Sequence, residues 1–328
     1  MKPWEEFKSK QSSTLAGADF ICAADELGLI LVSGEDAVEF LQNQLSNDIN
    51  LIDESRFQLS SYSTPKGRML GIFRVIQISN GYLLLTTRSM VLPLLEQLFK
   101  FIVQSRVALA DASDYFAMIA IQTNHLDLNG LPVMPAEPGM VVQNNRLISL
   151  QLEPLGSQQR YLLMYLSADE AIDTWDKLAL QLQVAGYSSW HLSEIKAGIP
   201  VIHPKTTEEF VLQMANLGAL GGVSFKKGCY PGQEIVARMQ YLGKLKRRMF
   251  LARIETDCLP LPGDDLVTQG KTVVDGSGKV VDAGFDQEGI CHCLYIAQIA
   301  KAEAGSLELL KQPESRIENV DLPYTLEN

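Results

Sequence analysis

The chain has 328 residues, 46% hydrophobic and 20% charged, an ordinary globular composition long enough for two or three domains with real cores. It carries 39 acidic against 28 basic residues, a net charge of −11, which disfavours broad non-specific nucleic-acid binding. No apolar run reaches the roughly 18 residues of a membrane span, and the start Met1-Lys2-Pro3-Trp4-Glu5-Glu6 has no apolar signal core. The five cysteines, an odd number without repeating spacing, fit a reducing compartment better than a disulfide scaffold. A cytoplasmic protein with no membrane partner is expected.

Residues 27–33 predict a strand, which Ser33-Gly34 punctuate. An amphipathic helix is expected over 35–45, with Ala37, Val38, Leu41 and Leu45 on one face and Ser33 as its N-cap. Gln42, Asn43, Gln44, Asn47 and Asp48 line its polar side and exit. Strands are predicted at 57–62, 69–78 and 82–87, the last two joined by the hairpin signal Asn80-Gly81. A helix is expected from Ser89 to Val103, with Pro93 in its first turn. Strands at 115–122, 147–152 and 160–166 follow, then helices at 168–184, ended by Gly186, and at 190–197. From Lys246 onward, short segments at 249–255, 265–268, 271–274, 279–283 and 291–296 alternate with Gly-rich turns. That rhythm predicts a small antiparallel barrel.

One stretch concentrates chemistry: Lys226-Lys227-Gly228-Cys229-Tyr230-Pro231-Gly232-Gln233-Glu234, running on to Arg238. Gly228 and Pro231-Gly232 place Cys229 among turns, and Ile235, Val236 and Met239 begin a helical pattern. Glu234 and Arg238 stand four apart, the favourable order for a helical ion pair. A helix N-terminus and nearby ammonium groups both favour a thiolate, so this spacing suits a reactive thiol. From Lys226 to Arg248 seven basic residues (Lys226, Lys227, Arg238, Lys244, Lys246, Arg247, Arg248) face one acid, a local balance of +6. Such a run is either a solvated face or an anion site for a polycarboxylate or a short piece of RNA. Cys291-His292-Cys293 has no second ligand pair at zinc spacing, so no metal is expected. No Walker or dinucleotide loop follows a strand.

The run from Asn216 to Arg238 closely resembles the signature of the YgfZ family of folate-binding proteins, relatives of the glycine-cleavage T-protein. Gly34-Glu35-Asp36-Ala37, Pro65-Lys66-Gly67-Arg68, Ala197-Gly198-Ile199-Pro200-Val201-Ile202 and Leu322-Pro323-Tyr324 extend the resemblance over nearly the whole chain. It implies an α+β, three-domain, T-protein-like (GcvT) fold: antiparallel sheets with flanking helices around a central ligand cavity. The expected domains are a discontinuous α+β domain (1–52 and 113–243) carrying the Cys loop, a ferredoxin-like subdomain (53–112), and a C-terminal small β-barrel (246–328).

The resemblance further implies a tetrahydrofolate-binding accessory protein that supports iron–sulfur enzymes and thereby tRNA modification such as methylthiolation, with downstream effects on initiation of chromosomal replication. Its partners would be a reduced folate and iron–sulfur proteins, including tRNA-modifying enzymes. Cys229 would be the working thiol. Trp190 matches a family tryptophan associated with folate, while the position of a second one is Leu27 here. Lys226, Lys227 and Arg238 would set the thiol or hold folate carboxylates, and Tyr230, Gln233 and Glu234 complete the folate-binding motif. The T-protein has a catalytic Asp just after its Pro-Lys-Gly-like turn, where this chain has Leu70, Gly71 and Ile72. That departure argues against stand-alone aminomethyl transfer. A folate-dependent one-carbon transferase and a tRNA-binding module are the alternatives.

Overall fold

The computed structural model describes residues 2–11, 14–102, 105–125, 128, 130–243 and 245–326. In chain order the elements begin with α1 (Lys2–Lys8), β1 (Phe20–Ala23), β2 (Leu27–Ser33), α2 (Ala37–Gln44), β3 (Phe57–Ser63), β4 (Met69–Ile78) and β5 (Gly81–Thr87). Next come α3 (Arg88–Phe99), β6 (Ala108–Asp111), β7 (Ala117–Thr123), β8 (Val141–Gln143), β9 (Leu147–Leu155) and β10 (Gln158–Tyr165). Then follow α4 (Ala168–Leu178), β11 (Gln183–Val184), α5 (Tyr187–Lys196) and α6 (Gln233–Leu242). The chain finishes with β12 (Arg247–Glu255), β13 (Asp265–Thr268), β14 (Gly278–Phe285), β15 (Cys291–Gln298), α7 (Ile299–Glu303), β16 (Leu307–Leu309) and β17 (Arg316–Val320). The class is α+β with largely antiparallel sheets, as expected.

The chain divides into two compact units, the first made of Met1–Phe40, Ile49–Gln58 and Arg74–Ser193, the second of Leu41–Asp48, Leu59–Phe73 and Glu194–Asn328. In the first unit a sheet runs in the order β11-β1-β7-β10-β9-β8. Side chains alternate across it, as a strand requires. Cys22, Ala120, Leu150 and Leu162 face a core shared with Leu27, Leu29, Leu83, Leu85 and Trp190. Ile21, Ile119 and Leu163 face a second core under α1 and α4. There Trp4 meets Trp175 edge-on, with centroids 6.0 Å apart. The first unit's strands β5, β2 and β6 lie side by side in another sheet, which takes β2 from early in the chain and sets it between β5 and β6.

The second unit holds a sheet ordered β16-β13-β14-β15-β12-β17. It curls until β16 and β17 approach each other, forming a half-barrel. Phe250, Val280, Cys291, Cys293, Tyr295 and Leu309 fill its core.

Several local expectations are corrected. The helix from 168 ends at Leu178, because Gln183–Val184 pairs in parallel with Phe20–Ile21. Residues 271–274 form no strand, and Val273 and Val274 are exposed there. Ser33 ends β2 instead of capping α2; the Gly34 carbonyl accepts the Ala37 N–H, while Asp36 accepts the Arg106 N–H at 2.7 Å. Pro93 lies beyond the first turn of α3, and Val103 lies outside the described residues. Among the described residues no helix is long and apolar enough to cross a membrane.

Candidate functional site

The site starts from the end of α2. The Leu45 N–H still donates to the Leu41 carbonyl at 2.9 Å, but the Ser46 N–H turns to the Ser61 carbonyl, also at 2.9 Å. The Gln42 carbonyl thereby loses its helical donor. Lys227 supplies the replacement. Its Nζ donates to the carbonyls of Gln42, Leu45 and Asn47 at 2.7, 2.7 and 2.9 Å. A cation also suits the negative end of the helix dipole. Beside it, Ser46 Oγ donates to the Gly222 carbonyl and Asn47 Nδ2 to the Gly221 carbonyl, each at 2.7 Å. The Ser224 N–H closes on the Ser46 carbonyl at 3.0 Å.

The far end of the loop is fixed differently. Gly232, the N-cap of α6, has φ +85° and sits against the turn Pro65-Lys66-Gly67-Arg68. A Cβ there would come within 2.8 Å of the Thr64 carbonyl oxygen, so only glycine fits without a shift. Arg68 Nη1 donates to the Glu209 carbonyl at 2.6 Å and tethers the same turn. Between the two anchors Gly228 and Cys229 are exposed.

Lys227 is 8% exposed, whereas its neighbour Lys226 is exposed. Burial pushes the Lys227 ammonium down to about 8, with the Asp48 carboxylate opposing. The Tyr230 ring centroid lies 5.2 Å from Nζ. Tyr230 is buried; its hydroxyl has no hydrogen-bond partner among the described residues, and burial raises it to about 12. Gln233 Nε2 reaches the Lys227 carbonyl at 3.5 Å. Glu234 and Arg238 are exposed, and among the described residues the ion pair expected between them is not formed.

The basic stretch does not make one continuous charged face. Arg247 donates to the Gly276 carbonyl. Arg248 pairs with Glu303 at 3.1 Å and lies 4.8 Å from the Phe250 ring centroid. Lys244 lies outside the described residues.

No protein-family model matches the chain. It is, however, 33% identical to the tRNA-modifying protein YgfZ of Colwellia psychrerythraea, over 97% of this chain and 98% of that protein. The chain belongs to the YgfZ family. The tRNA-modifying protein YgfZ of Escherichia coli is 29% identical over 92% of both chains. Glycine cleavage system aminomethyltransferase T from Bartonella henselae shares the fold, with a TM-score of 0.72 over 98% of this chain and 96% of that one, at 14% identity. The T-protein-like architecture of this YgfZ-family chain is therefore established together with its family.

Trp190 belongs to the first unit, on α5, and is 1% exposed. Leu27 lies in the same buried cluster. The Arg160 guanidinium stands 4.8 Å from the Trp190 ring centroid. Arg160 is itself fully buried on β10, and its Nη1 donates to the Glu153 carbonyl at 3.2 Å. Nothing in the strand pattern around Arg160 announced this stacking. Trp190 Nε1 is buried with no hydrogen-bond partner among the described residues.

Of the polar residues leaving α2, Gln42 Nε2 donates to Asp48 at 2.9 Å and Asn47 is spent on the loop. Leu70 and Ile72 are buried apolar side chains, so no carboxylate stands at these positions after the Gly67 turn. Cys291 and Cys293 are core residues of the half-barrel, and burial raises Cys291 to about 12. Among the described residues no cluster of three or more His, Cys, Asp or Glu is arranged to hold a metal.

Proposed function

We propose that this chain is a tetrahydrofolate-binding accessory protein whose working thiol is Cys229. It supports iron–sulfur enzymes in the cytoplasm, among them tRNA-modifying enzymes, with effects on replication initiation lying downstream. One observation carries the reading: an exposed thiol on a loop fixed at both flanks, by Lys227 on the end of α2 and by Gly232 on the Gly67 turn. A loop fixed in this way presents a reactive group at a set position, which positioned chemistry requires.

Each unit, taken by itself, carries one feature suited to a folate. Trp190 Nε1 is an orphaned buried donor, the kind of atom that a ligand rich in acceptors satisfies. The exposed Lys226 and Arg238 are the cations available for glutamate carboxylates. Lys227 serves the loop, and Tyr230, Gln233 and Glu234 frame the thiol. A bound reduced folate would supply one-carbon or reducing chemistry.

The one-carbon transferase reading is disfavoured by the apolar Leu70 and Ile72. The tRNA-binding reading is disfavoured by the internal bonding of Lys227, Arg247 and Arg248. Complementation tests the proposal. A strain lacking its own homologue receives the wild type or Cys229→Ala, and tRNA methylthiolation and a labile iron–sulfur enzyme are assayed beside tetrahydrofolate titration of the purified proteins. A folded, folate-binding Cys229→Ala chain that fails to restore both activities is the expected result. Full restoration makes the loop a scaffold feature and sinks the working-thiol role.

A further inference from the structure

We propose that Lys227 is the positioning residue of the Cys229 loop, pinning it to the converging carbonyls at the end of α2. This rests on the reading of Cys229 as the working thiol, and it assigns the two adjacent lysines different tasks. Lys226 is exposed and free for solvent or ligand. Lys227 points inward, and its three N–H donors meet three convergent carbonyls, at 2.7, 2.7 and 2.9 Å. An ammonium has three donors and no acceptor, so its hydrogen-bonding capacity is filled.

The geometry selects lysine. A guanidinium is a planar fork and matches poorly with carbonyls converging on a point. An apolar side chain of similar length would leave the Gln42, Leu45 and Asn47 carbonyls without this donor in a buried place. The pin is also the last rung of a ladder. Gly221, Gly222 and Ser224 already bond the segment Ser46–Asn47, and Lys227 adds the contact nearest the thiol, two residues from Cys229. The charged group facing Nζ is Asp48, and Tyr230 is the other titratable neighbour. Nζ is enclosed when the loop is pinned and solvated when it is released, so the setting of the loop responds to pH.

The chain provides its own standard for the test. Cys229 and Cys258 are exposed, while Cys22, Cys291 and Cys293 are buried. The intact protein is treated with iodoacetamide under native conditions, and the ratio of Cys229 to Cys258 alkylation is read by peptide mass spectrometry. Folded Lys227→Met is expected to change that ratio by about threefold or more, as local loosening alters access, and Lys227→Arg by less. An unchanged ratio in folded Lys227→Met overturns the proposal.

Should Lys227→Met not fold, the wild type and Lys227→Arg are compared from about pH 7 to about pH 9.5, a range in which arginine keeps its charge. The wild type is expected to show a step that Lys227→Arg lacks, and superposable profiles overturn the proposal. Alkylation needs neither folate nor client enzyme. Failure of complementation therefore leaves this measurement standing, and failure here leaves the accessory role standing.

Discussion

Gly232 and Gly67 lie back to back, so close that a Cβ on Gly232 would stand 2.6 Å from the Gly67 Cα. Both adopt positive φ, +85° and +72°. Gly232→Ala combines left-handed strain of about 1–2 kcal/mol with a forced backbone shift of similar size, costing about 1–3 kcal/mol. A clear fall in the urea unfolding midpoint is expected. A midpoint equal to that of the wild type would mean that the Gly67 turn can yield.

Lys227 gives stability a specific dependence on pH. Its folded pKa lies near 8, below the ordinary 10.5. Between those values the unfolded chain binds more protons than the folded one, so stability rises with pH across that window. The gain is fully present above 10.5 and is lost as the pH falls through 8. The difference between wild-type and Lys227→Met thermal stability, followed over the same range, isolates this group from the other lysines and tyrosines. A flat difference contradicts the assignment.

Trp190 must be tested with two substitutions. Buried as it is, Trp190→Ala is expected to cost about 3–5 kcal/mol through the cavity alone, so lost folate binding in that variant says little about contact. Trp190→Phe keeps most of the packing while deleting Nε1 and weakening the stack on Arg160, a loss of about 1 kcal/mol. Tetrahydrofolate affinity that falls in Trp190→Phe at a nearly unchanged unfolding midpoint supports a direct contact. Affinity that holds in Trp190→Phe marks the tryptophan as a core residue.

Any tRNA affinity of the basic stretch should depend only moderately on salt. With Lys227, Arg247 and Arg248 bonded internally, Lys226, Arg238 and Lys246 remain as phosphate contacts among the described residues, and Lys244 lies outside them. The slope of log affinity against log salt is then no steeper than about −4. A steeper slope in filter binding would point to a surface outside this stretch.

Alternation and turn residues are local signals, so the half-barrel, the longer strands and the exposed Cys229 were legible in the sequence, whereas the strand expected at 271–274 is absent and β1, β6, β8, β16 and β17 were not expected. The sequence did not separate Lys226 from Lys227. Two adjacent lysines look alike until a helix end from 180 residues earlier in the chain meets one of them. The parallel pairing of Gln183–Val184 with Phe20–Ile21 was hidden for the same reason. The resemblance pieces, separate in sequence, turn out to be contacts. The Gly67 turn abuts Gly232, and the Tyr324 hydroxyl donates to the Gly198 carbonyl at 2.9 Å. The Trp190–Arg160 stack left no local trace, since a strand arginine usually faces water.

The second unit draws Leu41–Asp48 and Leu59–Phe73 from the early part of the chain and everything else from Glu194 onward. A ribosome adding about 5–20 residues per second therefore leaves the tail of α2 waiting about 10–40 s before Lys227 emerges. During that interval the Leu41, Leu45 and Tyr62 side chains, all buried in the finished protein, lack the later half of their unit. Such a nascent chain is a natural client for holdase chaperones, and synthesis speed over residues 74–227 becomes a variable in how much of the protein reaches its native state.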